Sequence, residues 1–197
     1  MRVPKRVDHQ AQRARIADAL MRVAAQQGLE AVSLRHVAAE AGVSTGMVQH
    51  YFHTKDEMMV FALEMVGRSV QARLATAAPD DVPGPRGLVR ALLVQMLPLD
   101  EERAAEGRVA LAFFAHAAVR PHVAAELREN TGVLRAFFAD QIRAAGRVSD
   151  PEVAATALLA LVDGLGVHVL GGHYSPEHAL AVLDAQLDTV FGPQDQV

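Results

Sequence analysis

From Ile16 to Phe191 apolar residues recur three and four positions apart, and no run alternates apolar with polar residues as a half-buried strand must. The first such stripe is Ile16, Leu20, Val23 and Ala24, the next Val37, Ala38 and Ala41, the next Val48 and Phe52. A period near 3.6 cannot be satisfied by a sheet, so the expected fold class is all-α. With 51% hydrophobic residues in a chain of 197, there is enough apolar material for one compact domain or two small ones.

Local signals place the helix ends. Asp8 is an N-cap candidate for the first helix, although Ala11 leaves no capping box, and Gly28 marks its end. Ser33 predicts the cap of a short second helix that Gly42 closes through a left-handed turn, and Ser44 the cap of a third from Thr45 to about Phe52. Thr54 and Glu57 form a capping box that opens a long fourth helix through Met58, Phe61, Ala62 and Met65 to about Ala75. Pro79 to Gly87 is the one breaker-rich stretch. Beyond it the pattern predicts helices at about Gly87 to Leu97, Asp100 to Val119 and Pro121 to Ala145. Two more open at Ser149 to Glu152 and at Ser175 and Pro176, and the tail from Gly192 is expected to fray.

The densest information lies in SLRHVAAEAGVSTGMVQHYFHTK, Ser33 to Lys55. Two short capped helices joined by Gly42, Val43 and Ser44 match a helix-turn-helix, with Gly42 starting the bend, Val43 plugging the gap, and small Ala38 and Ala41 permitting close approach. Val48 and Phe52 then face the core, which leaves Thr45, Gly46, Met47, Gln49, His50 and Tyr51 on the other side. That set suits duplex DNA. Thr45 and Tyr51 can donate to phosphates, Gln49 and His50 can meet base edges or phosphates, Met47 can touch a thymine methyl, and Gly46 admits a close backbone. Lys55 adds a cation at the start of the fourth helix, and Arg35 can reach the groove or the backbone. The competing reading is a helical corner that binds no nucleic acid, with His50 and Tyr51 merely packing on the first helix.

Charge fits the DNA reading and an ordinary solvated helix face equally: six basic residues face two acidic ones from Met1 to Ala25, on a chain whose formal net charge is -4. The absence of Cys removes disulfides, thiol nucleophiles and thiolate metal sites, and fits a cytoplasmic protein. Val153 to Leu170 is almost wholly apolar, but Asp163 and His168 interrupt it, so a helix buried between protein surfaces is expected rather than a membrane span. His168, His173 and His178 are five apart and broken by Gly171 and Gly172, which does not stack ligands on one helix face, so no metal site is expected. Gly42 to Gly46 has the letters of a nucleophile elbow but lacks the strand that device needs, and Gly164 and Gly166 lack the third glycine of a dinucleotide fingerprint. Neither catalytic residues nor a cofactor are expected. The alternatives to a DNA-binding regulator are a helical metal- or small-molecule-binding protein or enzyme without DNA binding, and a helix-turn-helix used only for protein contacts.

The segment AVSLRHVAAEAGVSTGMVQHYFHTKDEM, with its Tyr51–Phe52 pair and Lys55, resembles the TetR family of transcriptional regulators over roughly Gln10 to Met65. The resemblance implies an all-helical homodimer. Residues 1–55 would be a three-helix DNA-binding head and residues 56–197 a ligand-binding and dimerisation body, with the fourth helix as connector. It carries DNA contacts onto Arg35, Thr45, Gly46, Met47, Gln49, His50, Tyr51 and Lys55, a palindromic double-stranded operator as partner, and the dimer interface onto the last two long helices. Leu97 to Ala117 resembles the body of the BetI-type branch, whose namesake responds to choline. The residues argue for another effector here: the chain has no Trp and two Tyr, too little for the usual aromatic cage around a quaternary ammonium. Phe113, Phe114, Phe137 and Phe138 with Met96 would instead favour an apolar or weakly polar molecule, if they are not plain core, and His116 and His168 are further pocket candidates. The expected function is a repressor released from its operator by a small molecule.

Overall fold

The computed structural model describes residues 5–28, 31–76 and 84–193. Among them are nine α-helices and no strand: α1 Lys5–Gln27, α2 Leu34–Ala41, α3 Thr45–Tyr51, α4 Lys55–Thr76, α5 Gly84–Met96, α6 Glu101–Ala118, α7 Pro121–Ala145, α8 Pro151–Leu170 and α9 Pro176–Phe191. The all-helical expectation is met. Two starts differ: α1 is already helical at Lys5, three residues before the cap candidate Asp8, and α5 begins at Gly84, inside the stretch read as breaker-rich and three residues before Gly87, because Pro85 is tolerated in a first helical turn. A capping residue marks a start only where the preceding backbone leaves the helix, and Lys5 and Arg6 are good helix formers that continue it. Most of the breaker-rich stretch and the last residues of the tail lie outside the described residues.

Two compact units emerge, Met1–Ser69 with Arg108–Val123, and Val70–Gly107 with Ala124–Val197, so α4 and α6 each contribute to both. In the first unit α2 packs against α1 and α3. The predicted stripe of α1 is buried at Ile16, Leu20, Val23 and Ala24, as are Val37, Ala38 and Ala41 of α2 and Val48 and Phe52 around α3. Met58, Met59 and Ala62 of α4 and Val109, Phe113 and Ala117 of α6 are buried in the same unit. Asp56 and His116 join the α4 and α6 segments of this unit through a 2.7 Å contact between Oδ1 and Nε2.

The second unit has one continuous core, built from Val89, Leu93 and Leu97, Phe138 and Ile142, Leu158 and Val162, and Leu183 and Leu187 among others. Charged pairs fix the helices around it. Arg73 of α4 donates to Gln95 of α5 at 2.7 Å and, two-pronged, to the buried Glu106 of α6 at 3.0 and 2.7 Å. Arg90 of α5 grips Asp184 of α9 at 2.6 and 2.9 Å, and Arg86 donates to Asp188 at 2.7 Å. Asp150 and Ser175 cap α8 and α9 by accepting the amides of Val153 and His178.

The Arg90 hydrogen bonds hold the Asp184 carboxyl below the ordinary carboxylate range. A carboxyl more acidic in the folded chain than in the unfolded one contributes stability at neutral pH and loses it as pH falls through its folded titration. Asp184→Asn should therefore lower the urea midpoint at neutral pH, and the gap to the unsubstituted chain should close on acidification. A gap that does not change with pH would show that the pair adds nothing titratable.

Candidate nucleic-acid interface

The turn between α2 and α3 is built from backbone hydrogen bonds. Gly42 adopts φ 64° and ψ 37°, the left-handed region that a residue without Cβ enters at no steric cost. Its amide donates to Ala39 O at 3.1 Å and that of Val43 to Ala38 O at 3.0 Å, the paired closure of a Schellman motif, which satisfies the last carbonyls of α2. The start of α2 is secured by Ser33, whose Oγ accepts the His36 amide at 3.2 Å. Ser44 does the same for α3, accepting the Met47 amide at 3.1 Å. At the other end the Phe52 amide returns to Val48 O at 2.9 Å.

This local geometry sets the direction of every side chain on α3. Val48 and Phe52 are fully buried, and Thr45, Gly46, Met47, Gln49 and His50 are exposed, with Tyr51 half-buried between the two faces. Arg35 is exposed on α2, and Lys55 is half-buried at the first residue of α4. The start of α4 is organised as the sequence pattern implies: Glu57 N donates to Thr54 Oγ1 at 3.1 Å, and Glu57 Oε2 reaches back to the His53 amide at 2.7 Å. The helix-turn-helix thus brings the eight candidate DNA contacts into one unit.

Three residues of this unit escaped the sequence reading. The guanidinium of Arg13 lies 5.0 Å from the Phe52 ring centre and 4.5 Å from that of Phe61, a cationic link from α1 to the base of α3 and to α4. The His9 ring meets Tyr51 edge-on at 4.4 Å and His50 at 5.5 Å. Asp56 engages His116. None carries a local signal, because each contact joins residues of separate helices.

The candidate effector residues are distributed over both units. Phe113, Phe114 and His116 belong to the first, where Phe113 is buried, Phe114 is 43% exposed, and His116 is buried against Asp56. Met96, Phe137, Phe138 and His168 belong to the second. Phe138 is a core residue with Met96 packed against its cluster, and Phe137 lies beside it at 36% exposure. His168 is exposed, its ring 5.2 Å from His173 and 5.0 Å from Tyr174, which in turn lies 5.3 Å from His178. The five-residue spacing keeps these histidines off one helix face, yet the turn after α8 folds their rings into one cluster. Among the described residues no group of three or more His, Cys, Asp or Glu is arranged to hold a metal ion.

A helix-turn-helix whose second helix presents polar side chains to solvent, in a chain with a helical body, defines a DNA-binding transcriptional regulator. Comparison with known proteins agrees: residues 16–60 match the model of bacterial regulatory proteins of the tetR family, and residues 85–192 match that of the BetI-type transcriptional repressor, C-terminal. The HTH-type transcriptional regulator PksA of Bacillus subtilis (strain 168) is 34% identical over 85% of this chain and 83% of its own. A transcriptional regulator from Rhodococcus sp. Rha1 superposes with a TM-score of 0.81 at 39% identity, covering 90% of this chain and 95% of that one. A transcriptional regulator from Saccharomonospora viridis, solved in complex with choline, gives 0.77 at 25% identity, covering 91% and 96%. The chain belongs to the TetR family, with a BetI-type C-terminal body. Membership makes it a ligand-responsive DNA-binding regulator.

Because Ser44 supplies the first partner for the amides of α3, Ser44→Ala should cost about 1 kcal/mol. Urea unfolding followed by circular dichroism measures this, since the chain has no Trp to report by fluorescence. An unchanged midpoint would mean that α3 is held by Val48 and Phe52 alone.

Proposed function

We propose that this protein is a dimeric repressor that sets α3 of each subunit into successive major grooves of a palindromic operator and leaves it when a small molecule binds the body. The observation that carries the reading is α3 itself, a rod capped by Ser44 and anchored by Val48 and Phe52, with its other face open. On this reading Arg35, Thr45, Gly46, Met47, Gln49, His50, Tyr51 and Lys55 contact DNA, residues 1–55 form the head, and residues 56–197 form the body with α4 as connector. Gln49 and His50 offer hydrogen bonds to base edges, and Tyr51 and Lys55 offer them to phosphates.

The dimer is assigned to α8 and α9. By length and composition α8 could cross a membrane, yet only 28% of it is buried within the chain. Val153, Ala157, Ala160, Gly164 and Val167 recur along its exposed side, and α9 adds Ala181 and Ala185. A stripe of small and apolar residues left in water favours a second copy that can approach closely. Among the described residues nothing comes within 4 Å of the position a Gly164 Cβ would take.

Effector contacts are proposed in the body, with Met96, Phe137 and Phe138 as the first candidates because they gather on one core. Phe113, Phe114, His116 and His168 remain secondary candidates. With one Tyr and no Trp after α3, an apolar or weakly polar ligand is favoured over the choline seen in the neighbour. Whatever its identity, the ligand shifts the protein off DNA only by binding the released arrangement better than the DNA-bound one.

Lys55→Ala should weaken binding to all duplexes alike and reduce the slope of log affinity against log salt by about one, the loss of a single phosphate contact. A slope identical to that of the unsubstituted chain removes Lys55 from the interface. Ala160→Arg, a charge placed on the open face of α8, should convert dimers to folded monomers in sedimentation. Persistence of the dimer would move the interface elsewhere.

A further inference from the structure

The DNA-facing surface of α3 does not end at α3. His9 of α1 is exposed, and its ring lies edge-on to Tyr51 at 4.4 Å and 67° and within 5.5 Å of His50. His50 and Tyr51 are themselves in edge contact at 5.2 Å. Two imidazoles from different helices are thereby gathered around the Tyr51 ring. Histidine changes charge within the physiological range, so this cluster can be neutral or cationic where the rest of α3, Thr45 to Tyr51, carries no acidic or basic residue besides His50.

We propose that His9 is a DNA-contacting residue and that His9 and His50 together take up protons when the head meets the phosphate backbone. The inference rests on the reading of α3 as the DNA-facing helix. The two rings are 5.5 Å apart, a separation at which two positive charges would repel each other unless an anion lay between them. A phosphate brought against them removes that penalty and favours the charged form of both, so binding and protonation become linked. Each proton taken up makes affinity rise as pH falls, by at most about tenfold per pH unit.

Among the described side chains, the neighbouring carboxylates are engaged elsewhere or distant along the helix. On α1, Arg13 lies one turn on and is turned over the Phe52 and Phe61 rings, and Asp18 lies more than two turns away. In the sequence Lys5, Arg6 and Asp8 precede His9. On α2, Glu40 is paired with Arg22 at 2.7 Å, Arg35 is a further cation, and the His36 ring sits 3.0 Å from the Ala31 carbonyl. After α3 come His53 and Lys55, and then Asp56, engaged by His116, and Glu57, which accepts the His53 amide. Along α4, Glu64 faces Arg68. The carboxylates nearest in the chain after α3 are thus occupied, and the incoming phosphate is the new anion.

The test uses the full chain and a fluorescent duplex of random sequence, so no operator need be known. Affinity is read by anisotropy from about pH 6 to pH 8 at constant ionic strength, and proton uptake by titration calorimetry in two buffers of different ionisation enthalpy. The unsubstituted chain should bind more tightly at low pH and absorb protons. His9→Phe keeps an aromatic ring against Tyr51 but cannot take a proton, so it should weaken binding more at about pH 6 than at about pH 8 and lose a share of the pH slope and of the proton uptake. His9→Phe combined with His50→Gln should remove most of the remaining slope. A pH slope unchanged in His9→Phe would reduce His9 to a packing residue and overturn the proposal. Binding that is flat with pH in the unsubstituted chain overturns the proton uptake alone, whereas failure to bind any duplex overturns the DNA reading of α3 beneath it.

Discussion

Burial of Phe52 decides what α3 can show to the outside. The side chain is fully enclosed, its ring lies 5.5 Å from Phe61 of α4, and the Arg13 guanidinium of α1 sits against both rings. Its amide closes the last turn of α3 on Val48. One residue thus terminates the helix, fixes its rotation and links it to two others. A seven-residue helix is far too short to be stable by itself, so this anchoring, rather than intrinsic propensity, makes α3 a defined rod. With Val48 and Phe52 inward, the exposure of Thr45, Met47, Gln49 and His50 follows from helical geometry. Truncating the ring would leave a void under α3 and release its angle, which is why Phe52 matters to DNA reading without touching DNA.

The caps and the turn were legible in the sequence because their physics is local. Ser33, Ser44 and Thr54 each accept an amide three residues on, and Gly42 supplies the positive φ that ends α2, so four residues suffice to read each signal. The buried stripes were legible for the same reason, since a period needs no knowledge of the partner surface. The Asp56–His116 and Arg73–Glu106 ties were not. They join positions 60 and 33 residues apart, and nothing in the neighbourhood of either member specifies the other. The His168, His173, Tyr174 and His178 cluster shows the limit of spacing arguments, because the turn after α8 returns the chain on itself and defeats a rule that holds only along one helix.

The ties between α4 and α6 differ in kind from the core around them. In each unit a charged or hydrogen-bonded pair, rather than apolar contact alone, links the two helices: Asp56 with His116, and Arg73 with Glu106. A two-pronged guanidinium–carboxylate contact holds one register and loses both hydrogen bonds if displaced, which adds to the register set by interdigitated apolar side chains. Breaking such a pair leaves a partly buried charge without its partner, which is more costly than never having built it. Polar ties therefore fix the register of α4 against α6 more sharply than their modest net contribution to stability would suggest.

A different constraint governs α8. The same small and apolar residues that let a helix pack closely give it no means of satisfying water once its open face is left unpartnered. Leu158, Leu159, Val162 and Leu165 are buried in the chain's own core, yet Val153 and Val167 remain 63% and 45% exposed on the same helix. A helix of one purpose would place polar residues there, as α7 does at Arg128, Glu129 and Asn130, although α7 too leaves Val133 69% exposed. Folding of the single chain fills one apolar face of α8, and the other is the observation behind the dimer contact proposed there. Asp163 lies on the exposed side among these residues, and partial dehydration raises its carboxyl above the ordinary carboxylate range.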